Sequence, residues 1–176
     1  MFHNPANMPD FTQVAVDVKN NSAYFAGLPV TGTVSGTTFN SPASGCKIVV
    51  FNTSLCSFAG VTINLPADGT AIINSTCTNP SFINGQTSVI MGGVAQPQCN
   101  GQQGTGGACN HILYNFPNAT TVTVSGMSAQ GSILAPYAKF LGDGGNVAGE
   151  VVVDSMDTGV EFHAWFFEGC LDTSTC

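Results

Sequence analysis

The chain has few charged side chains, and the shortage is greatest for positive charge. Only 7% of its 176 residues are charged, against roughly 25% in an ordinary soluble domain. Arginine does not occur, the lysines are Lys19, Lys47 and Lys139, and the net charge is −7. Nucleic acids and anionic membrane surfaces are bound through clustered cations. We therefore expect neither kind of partner.

Targeting and membrane-spanning segments are also missing from the sequence. The opening stretch MFHNPANMPDF has no basic region followed by a long apolar run, as a signal peptide would. No apolar stretch is long enough to cross a bilayer, so we expect no membrane insertion by this segment. If the protein is secreted, its signal must lie upstream, and the chain is then expected to be a piece of a longer precursor.

Cysteine is plentiful, in contrast to charge. No Cys-x-x-Cys pair occurs and histidine is scarce, so a disulfide framework is favoured over a zinc site. An odd number leaves one thiol free or bonded to another chain. The seven disulfide candidates are Cys46, Cys56, Cys77, Cys99, Cys109, Cys170 and Cys176.

Four segments match the Asn-x-Ser/Thr acceptor pattern for N-glycosylation, at Asn20, Asn52, Asn74 and Asn118. One match is weak, since the pattern arises by chance in a chain rich in Ser, Thr and Asn. Together with the cysteines, the four matches favour an extracellular glycoprotein, and glycans would keep a surface of low charge soluble.

The N-terminal part predicts a helix over about 10–26, after an irregular lead-in over 1–9. Asp10 is an N-cap residue with Gln13 three positions later, and Phe11, Val14, Val18 and Phe25 share one helical face. Gly27 with Leu28-Pro29 predicts the end of the helix. The competing signal is the alternation of valines at 14, 16 and 18, which suits a strand.

The rest of the chain reads as short strands separated by polar turns. In the segment 120–125, Val122 and Val124 should face inward. Frequent glycines in the C-terminal third suit corners between short stacked strands. The predicted strands are 30–35, 47–52, 59–64, 70–74, 87–91, 111–116, 120–125, 131–135, 137–141, 147–153 and 159–166.

The stretch 95–110, AQPQCNGQQGTGGACN, is predicted to be an exposed loop that cannot contribute to a core. Cys99 and Cys109 flank it and could close it. Cys46 with Cys56, and Cys170 with Cys176, could close two further loops, which would leave Cys77 over. Spacing alone does not decide connectivity.

The C-terminal third resembles the choice-of-anchor A domain of bacterial and some eukaryotic surface proteins. The resemblance covers about 60 residues and is carried by the segments LYNFPNAT (113–120), GSILAP (131–136), VAGEVV (147–152), EFH (161–163) and FEG (167–169). Upstream the match is looser, the family's usual N-terminal portion is absent, and the cysteine content suggests a eukaryotic secreted homologue.

The resemblance implies an exported, cell-surface protein without catalytic residues. Its GSILAP-type segment is also similar to segments of ice-binding β-solenoids. We therefore expect a mainly β domain over 10–170, a β-solenoid or β-helix-like stack of short strands with one helix near the N-terminus, and a tail over 171–176. A β-sandwich is the alternative fold.

Candidate chemistry in the sequence is sparse. Glu161 and His163 would share a face of one strand, with Glu150 and Asp154 on a neighbouring strand. A Ca²⁺ site or a pair of hydrolytic carboxylates would need such groups, but no ligand-loop spacing supports either. Structural or surface roles are the better interpretation. We expect no enzyme activity, no metal and no cofactor.

His3 and His111 are expected to be a solvated residue and a strand-edge residue. The aromatic group Phe162, Trp165, Phe166 and Phe167 could be a sugar-binding platform. Such a group is more often part of the core, although at least one ring should be exposed or covered by a partner.

The sequence therefore predicts a non-enzymatic, extracellular structural or adhesive surface module, which could be a subunit of a filament or matrix. Expected partners are copies of itself, other surface proteins or glycans. The alternative is a binding module for glycan, a host protein or ice, where a flat face carrying Thr121 and Thr123 would favour ice. A cell-wall hydrolase is the third and weakest hypothesis.

Overall fold

The computed structural model describes residues 9–43, 47–101 and 103–169. They form one α-helix, one 3-10 helix (Ala108–His111) and fifteen strands. The helix is α1 (Phe11–Ala26), and the strands are β1 (Thr33–Ser35), β2 (Thr38–Asn40), β3 (Ile48–Thr53), β4 (Thr62–Leu65), β5 (Thr70–Ser75), β6 (Ser81–Ile83), β7 (Ser88–Met91), β8 (Val94–Ala95), β9 (Ile112–Asn115), β10 (Thr121–Ser125), β11 (Ser128–Gln130), β12 (Ser132–Asp143), β13 (Asn146–Ala148), β14 (Val151–Thr158) and β15 (Glu161–His163).

Helix α1 confirms the prediction for 10–26. The Asp10 carboxylate accepts hydrogen bonds from the backbone N–H groups of Thr12 and Gln13, at 3.0 and 3.3 Å. These bonds satisfy two donors that a helix start leaves unpaired. The Gln13 side chain donates to Asp17 instead of returning to the cap, so only one half of the expected capping box forms.

Most of the strand predictions are correct in place but differ in division. The predicted pair 131–135 and 137–141 is one strand, β12, with a register irregularity between Ala135 and Lys139. The predicted strand 147–153 is divided between β13 and β14. Four strands were not predicted: β2, β6, β8 and β11.

The strands stack in parallel rather than as an antiparallel sandwich. One sheet has the order β1-β2-β4-β7-β8. The second has the order β3-β5-β9-β12-β10-β6, and β14 also pairs with the long strand β12. The third contains β11, β13 and β15. Pairing is parallel except for β1 with β2 and β7 with β8. The chain therefore returns to the same sheets again and again, in a β-helix-like arrangement.

The core lies between the sheets and is filled by alternate residues of each strand. As predicted, Val122 and Val124 are fully buried. An aromatic cluster fills the widest part, with the rings of Phe58 and Phe82 stacked 5.0 Å apart and the ring of Tyr114 edge-on to both. Burial raises the pKa of the Tyr114 hydroxyl, so the group is neutral in the core.

Helix α1 covers the outer side of β3, β5, β9 and β12. Phe25 is buried there against the outward residues of these strands, and Val18 and Leu28 pack beside it. The outer side of this sheet is therefore apolar because a helix lies on it, whereas its inner side is apolar because it faces the core. The strand residues in this second cluster are Ile48, Val50, Ile72, Leu113 and Leu134.

The stretch 95–110 is not a wholly exposed loop, and this part of the prediction is wrong. Cys99 and Cys109 are buried and form a disulfide, and Ala148 and Trp165 pack against them. The Trp165 indole N–H donates to the carbonyl oxygen of Gly101 at 3.2 Å. A disulfide and a tryptophan together provide the small apolar centre that the glycines and glutamines of the stretch cannot.

Glycines occupy corners of the stack, as the sequence predicted. Gly131 and Gly149 lie at matching corners, where Gly131 donates its N–H to the carbonyl oxygen of Ala148. A Cβ added at Gly149 would overlap the backbone of Gly131 and of Ser132. Two successive turns of the chain approach closely here because neither glycine carries a side chain.

Replacing Gly149 by alanine should therefore destabilise the protein by roughly 1–3 kcal/mol, since a backbone must shift to make room. Gly159→Ala is the matched control, because its added Cβ would meet only the Asp143 carboxylate, at 3.8 Å. We expect the control to change stability by no more than about 0.5 kcal/mol. Thermal unfolding of both variants measures the difference, and equal melting temperatures would contradict the close approach.

Candidate functional site

A regular exposed surface is built by three very short parallel strands, β2, β4 and β7. Their central residues, Phe39, Ile63 and Val89, point inward and are buried. Because side chains alternate along a strand, the flanking residues point outward. Thr38, Thr62 and Ser88 are register partners and form one outward row. Asn40, Asn64 and Ile90 form the second row.

Strand β1 extends both rows by one position. It pairs antiparallel with β2 through a turn at Gly36, where φ is +57°. Ser35 lies beside Thr38, and Thr33 lies beside Asn40. We call this surface the ladder face, and it consists of Thr33, Ser35, Thr38, Asn40, Thr62, Asn64, Ser88 and Ile90.

The ladder face is uncharged, regular and partly rigid. Its eight side chains are exposed or half-buried, and all are neutral. The Asn64 side-chain amide donates to the Asn40 side-chain oxygen at 2.7 Å. Neighbouring strands in a sheet are about 4.8 Å apart, so hydroxyl and amide groups repeat at that interval. Such a surface can present a periodic set of hydrogen-bonding groups and methyl groups without reorganising.

The surface that carries Thr121 and Thr123 is different: both side chains point outward from β10, as the sequence predicts, but their rows do not continue as threonine on the paired strands. Thr121 is paired with Lys139, and Thr123 is paired with Leu141 and Ser81. The Lys139 ammonium forms an exposed ion pair with the Asp157 carboxylate at 3.1 Å. Because charged and apolar groups interrupt the rows, this surface has no threonine ladder.

Two of the four glycosylation candidates belong to an asparagine ladder, in which two of the three rungs are buried. Asn52, Asn74 and Asn115 are register partners on β3, β5 and β9. The Asn74 amide nitrogen donates to the Asn52 side-chain oxygen at 3.1 Å and to the Phe25 carbonyl oxygen at 2.8 Å. Asn74 is buried, so a glycan on its nitrogen is incompatible with this fold, which corrects the prediction for that residue.

The Asn115 rung of this ladder joins the sheet to the helix. Its amide nitrogen donates to the Asn74 side-chain oxygen at 2.8 Å and to the Ser22 carbonyl oxygen at 2.9 Å. The Ser22 hydroxyl donates to the Asn115 side-chain oxygen at 2.6 Å. Ser22 is the third residue of the acceptor pattern that begins at Asn20. Asn20, Asn52 and Asn118 are exposed, and their glycosylation stays a prediction.

The structure contains a second disulfide that was not expected, between Cys56 and Cys77. The suggested pairing of Cys46 with Cys56, and the suggestion that Cys77 is left over, are therefore wrong. The bond between Cys99 and Cys109 matches the predicted pair. Cys46, Cys170 and Cys176 lie outside the described residues, as does His3.

The candidate acidic and histidine residues have structural contacts. Glu161 and His163 contact each other at 3.3 Å, and the Glu150 carboxylate accepts a hydrogen bond from the Phe167 backbone N–H. Asp154 is exposed on β14 and His111 is half-buried at the end of the 3-10 helix. Within 9–43, 47–101 and 103–169, no group of three or more His, Cys, Asp or Glu side chains is placed to hold a metal ion.

The C-terminal aromatic residues do not form one platform. Trp165 packs on the disulfide-closed loop, and Phe167 packs on the helix-covered cluster. Phe162 and Phe166 are exposed, and the Phe162 ring lies 5.6 Å from that of Phe140. The four rings therefore face three different environments.

The ladder face was missed by sequence reasoning, although a weak signal was present. Thr-Phe-Asn at 38–40 and Thr-Ile-Asn at 62–64 repeat with a separation of 24. A three-residue strand is too short for alternation to stand out, and the repeat becomes informative only once parallel stacking is known. Separately, none of the helices in the described part of the chain has the length and hydrophobicity to cross a membrane.

Comparison with known proteins defines the class. The model of the family described as "Putative Ice-binding-like adhesive domain" matches residues 3–164, most of the chain, and the protein belongs to this family. Adhesive surface domains are therefore its class, whereas the resemblance to choice-of-anchor A domains is not confirmed. No curated protein and no solved structure matches the chain.

Proposed function

We propose that the protein is a non-catalytic, extracellular adhesive module that attaches through its ladder face to an ordered, hydrated surface. Ice is the surface that we propose as its ligand. The observation that carries the proposal is the ladder face itself: two rows of neutral hydroxyl and amide side chains in register on parallel strands. Membership of an ice-binding-like adhesive family supports it. We also propose that the three sheets form one continuous β-solenoid.

The stiffness of the ladder face favours recognition of a periodic surface. Each outward residue of β2, β4 and β7 is next in sequence to a buried core residue, and the Asn40–Asn64 hydrogen bond holds two amides in one orientation. A surface that is already ordered loses little conformational entropy on binding. The threonine methyl groups add apolar contact between the polar groups, and no charge holds water tightly against the face.

An extracellular location is supported by the cross-links. Two disulfides join described residues, and disulfides persist mainly in oxidising compartments. Glycans on Asn20, Asn52 and Asn118 would lie away from the ladder face, because Asn20 is on α1, Asn52 is on the sheet that α1 covers, and Asn118 lines a cavity with Lys19 and Ala23 of α1. Glycosylation would therefore leave the proposed adhesive surface open.

The variant Thr62→Tyr tests the proposal. Thr62 occupies the central strand of the ladder face, where a bulky ring would prevent close approach to a flat surface. We expect the native protein to show thermal hysteresis and to be enriched in a slowly grown ice fraction. The affinity of the variant for ice should be at least about tenfold lower, equivalent to about 1.4 kcal/mol. Its melting temperature should be unchanged.

Thr123→Tyr is the matched control, since Thr123 also points outward from a strand paired on both sides but lies on the charged surface. It should retain full ice binding. Absence of hysteresis and of ice enrichment in the native protein would remove ice as the ligand. Binding of the native protein to insoluble cellulose or chitin, again lost in Thr62→Tyr but not in Thr123→Tyr, would instead favour a glycan surface.

A further inference from the structure

The last turn of the stack leaves two of its core-facing residues, Met156 and Phe162, largely uncovered. Register pairs each of them with a buried residue of the preceding turn: Phe140 with Met156, and Val147 with Phe162. Phe140 and Val147 have no exposed surface, whereas Met156 is 50% exposed and Phe162 is 41% exposed. Equivalent strand positions are thus buried in the preceding turn and exposed in the last turn, at the open end of the stack.

The opposite end of the stack is closed. The backbone N–H groups of Thr31 and Gly32 both donate to the carbonyl oxygen of Val50 on the first strand of the helix-covered sheet. Gly32 lies so close to the Phe51 ring that a Cβ there would overlap it, and Phe51 is fully buried. Within the described part of the chain, the first strand of this sheet is therefore covered, whereas β14 at the other end is not.

Strand β14 presents a long free edge at the open end. It has eight residues, and among the described residues its only strand partner is β12. Its outward Val152 is 39% exposed. Free edges of this length invite pairing with another chain, and repeat-like stacks need their terminal turn to be covered.

Helix α1 extends beyond β14, as its contacts with the sheet show. The Phe25 carbonyl contacts Asn74 on β5, and Ser22 contacts Asn115 on the next strand, β9. Three helical residues, about 4.5 Å, thus match one strand spacing of about 4.8 Å, so the helix axis follows the stacking direction.

The same spacing places the first turn of α1 over the position where a strand would follow β14. From Phe25 to Phe11 the helix rises about 21 Å, whereas β5 to β14 is three strand spacings, about 14 Å. Phe11 and Val14 continue the apolar helical face of Val18 and Phe25, yet they are 67% and 44% exposed. The helix therefore provides an apolar roof, and none of the strands formed by the described residues lies beneath it.

Charge decides which kind of chain fits this place. Residues 139–168 contain one lysine, Lys139, and no arginine. A second copy that presented the same end would bring like charges together, and its other end is closed. A segment rich in lysine or arginine is complementary. The six acidic residues of this part are Asp143, Glu150, Asp154, Asp157, Glu161 and Glu168.

We propose that the free edge of β14, under the roof of Phe11 and Val14, binds an extended segment of a partner protein in which apolar and basic residues alternate. The segment adds to the sheet as its next strand by backbone hydrogen bonding. Its apolar residues face the core side and cover Met156, and its basic residues face the helix side, where their methylene groups pack under the roof residues and their charges lie near Asp154. This interaction uses a surface other than the ladder face and does not depend on the adhesive function.

An eight-residue capped peptide that alternates valine with lysine tests the proposal, with a valine–glutamate peptide of the same length as its comparison. We expect the lysine peptide to bind the full chain at least about tenfold more tightly and to slow amide hydrogen exchange along β14. Binding should weaken as salt is raised.

Two pairs of variants show where the peptide binds. Met156→Lys at the open end and Phe11→Ser on the roof should each weaken binding of the lysine peptide by about tenfold or more. Ile83→Lys and Tyr24→Ser are the matched controls, exposed apolar residues elsewhere on the sheet and helix, and should bind normally.

Three results would overturn the proposal: equal affinity for the two peptides, β14 amides already protected from exchange in the free protein, or a concentration-dependent dimer in sedimentation that Met156→Lys abolishes. The last result would assign the edge to a second copy of the chain. The ice-binding assay is independent of each of them.

Discussion

Replacing Asn115 with leucine is expected to lower the free energy of unfolding by about 3 kcal/mol or more. The substitution keeps a side chain of similar length but removes three hydrogen bonds, two to Ser22 and one to Asn74. Both partners are buried, so the groups left behind cannot turn to water. Each unpaired buried polar group costs about 1–3 kcal/mol. Denaturant unfolding followed by circular dichroism measures the loss.

Asn64→Leu is the control for this prediction. Asn64 also forms an amide ladder with its neighbour one turn away, but it is only half-buried, and water can replace the lost bond. We expect its cost to stay below about 1 kcal/mol. Similar losses of stability in the two variants would show that the Asn115 network stabilises the fold no more than the half-buried hydrogen bond between Asn64 and Asn40 does.

The asparagine ladder also explains why the glycosylation pattern is ambiguous in this sequence. Asn-Thr-Ser at 52–54 and Asn-Ser-Thr at 74–76 match the glycosylation pattern, but each asparagine stands at the same place in successive parallel strands. A ladder needs asparagine at that place, and neighbouring Ser and Thr suit strand ends. Because the pattern describes three residues only, it cannot separate a ladder rung from a glycan acceptor.

Local features were predictable and stacking was not. Helix α1 depends on the Asp10 cap and on apolar spacing, which lie within one segment. Stacking requires the chain to return to the same face, and the separations between ladder partners vary from 24 and 22 to 41 and 18 residues. With no constant period in the sequence, neither the ladder face nor the open end at β14 could be placed in advance.

Disulfides follow the same rule. Cys99 and Cys109 are 10 residues apart and close their own loop, so a local pairing suggested from the sequence was correct here, whereas the local pairing of Cys46 with Cys56 was wrong. Cys56 and Cys77 are 21 residues apart and follow β3 and β5, two strands that pair in register. Their bond links the same corner of two successive turns, a relation that exists only in the folded stack.

Removing the Cys56–Cys77 bond should therefore have the second large effect. The double variant Cys56→Ala with Cys77→Ala leaves no free thiol from this pair. A closed loop of 21 residues restricts the unfolded chain by an amount equivalent to about 3 kcal/mol. We expect a loss of that size, measured as a lower midpoint of guanidinium unfolding in the double variant relative to the oxidised native chain.

The position of this bond predicts where the structure should loosen. Beside it, the Ser81 N–H donates to the Cys56 carbonyl oxygen at 2.7 Å, and the Phe58 N–H donates to the Ser81 carbonyl oxygen at 2.8 Å. Hydrogen exchange at Phe58 and Ser81 should quicken in the double variant by more than exchange in α1, whose backbone hydrogen bonds do not involve this corner. Uniformly faster exchange would indicate that the bond acts only on the unfolded chain, whereas an unchanged unfolding midpoint would contradict the cross-link itself.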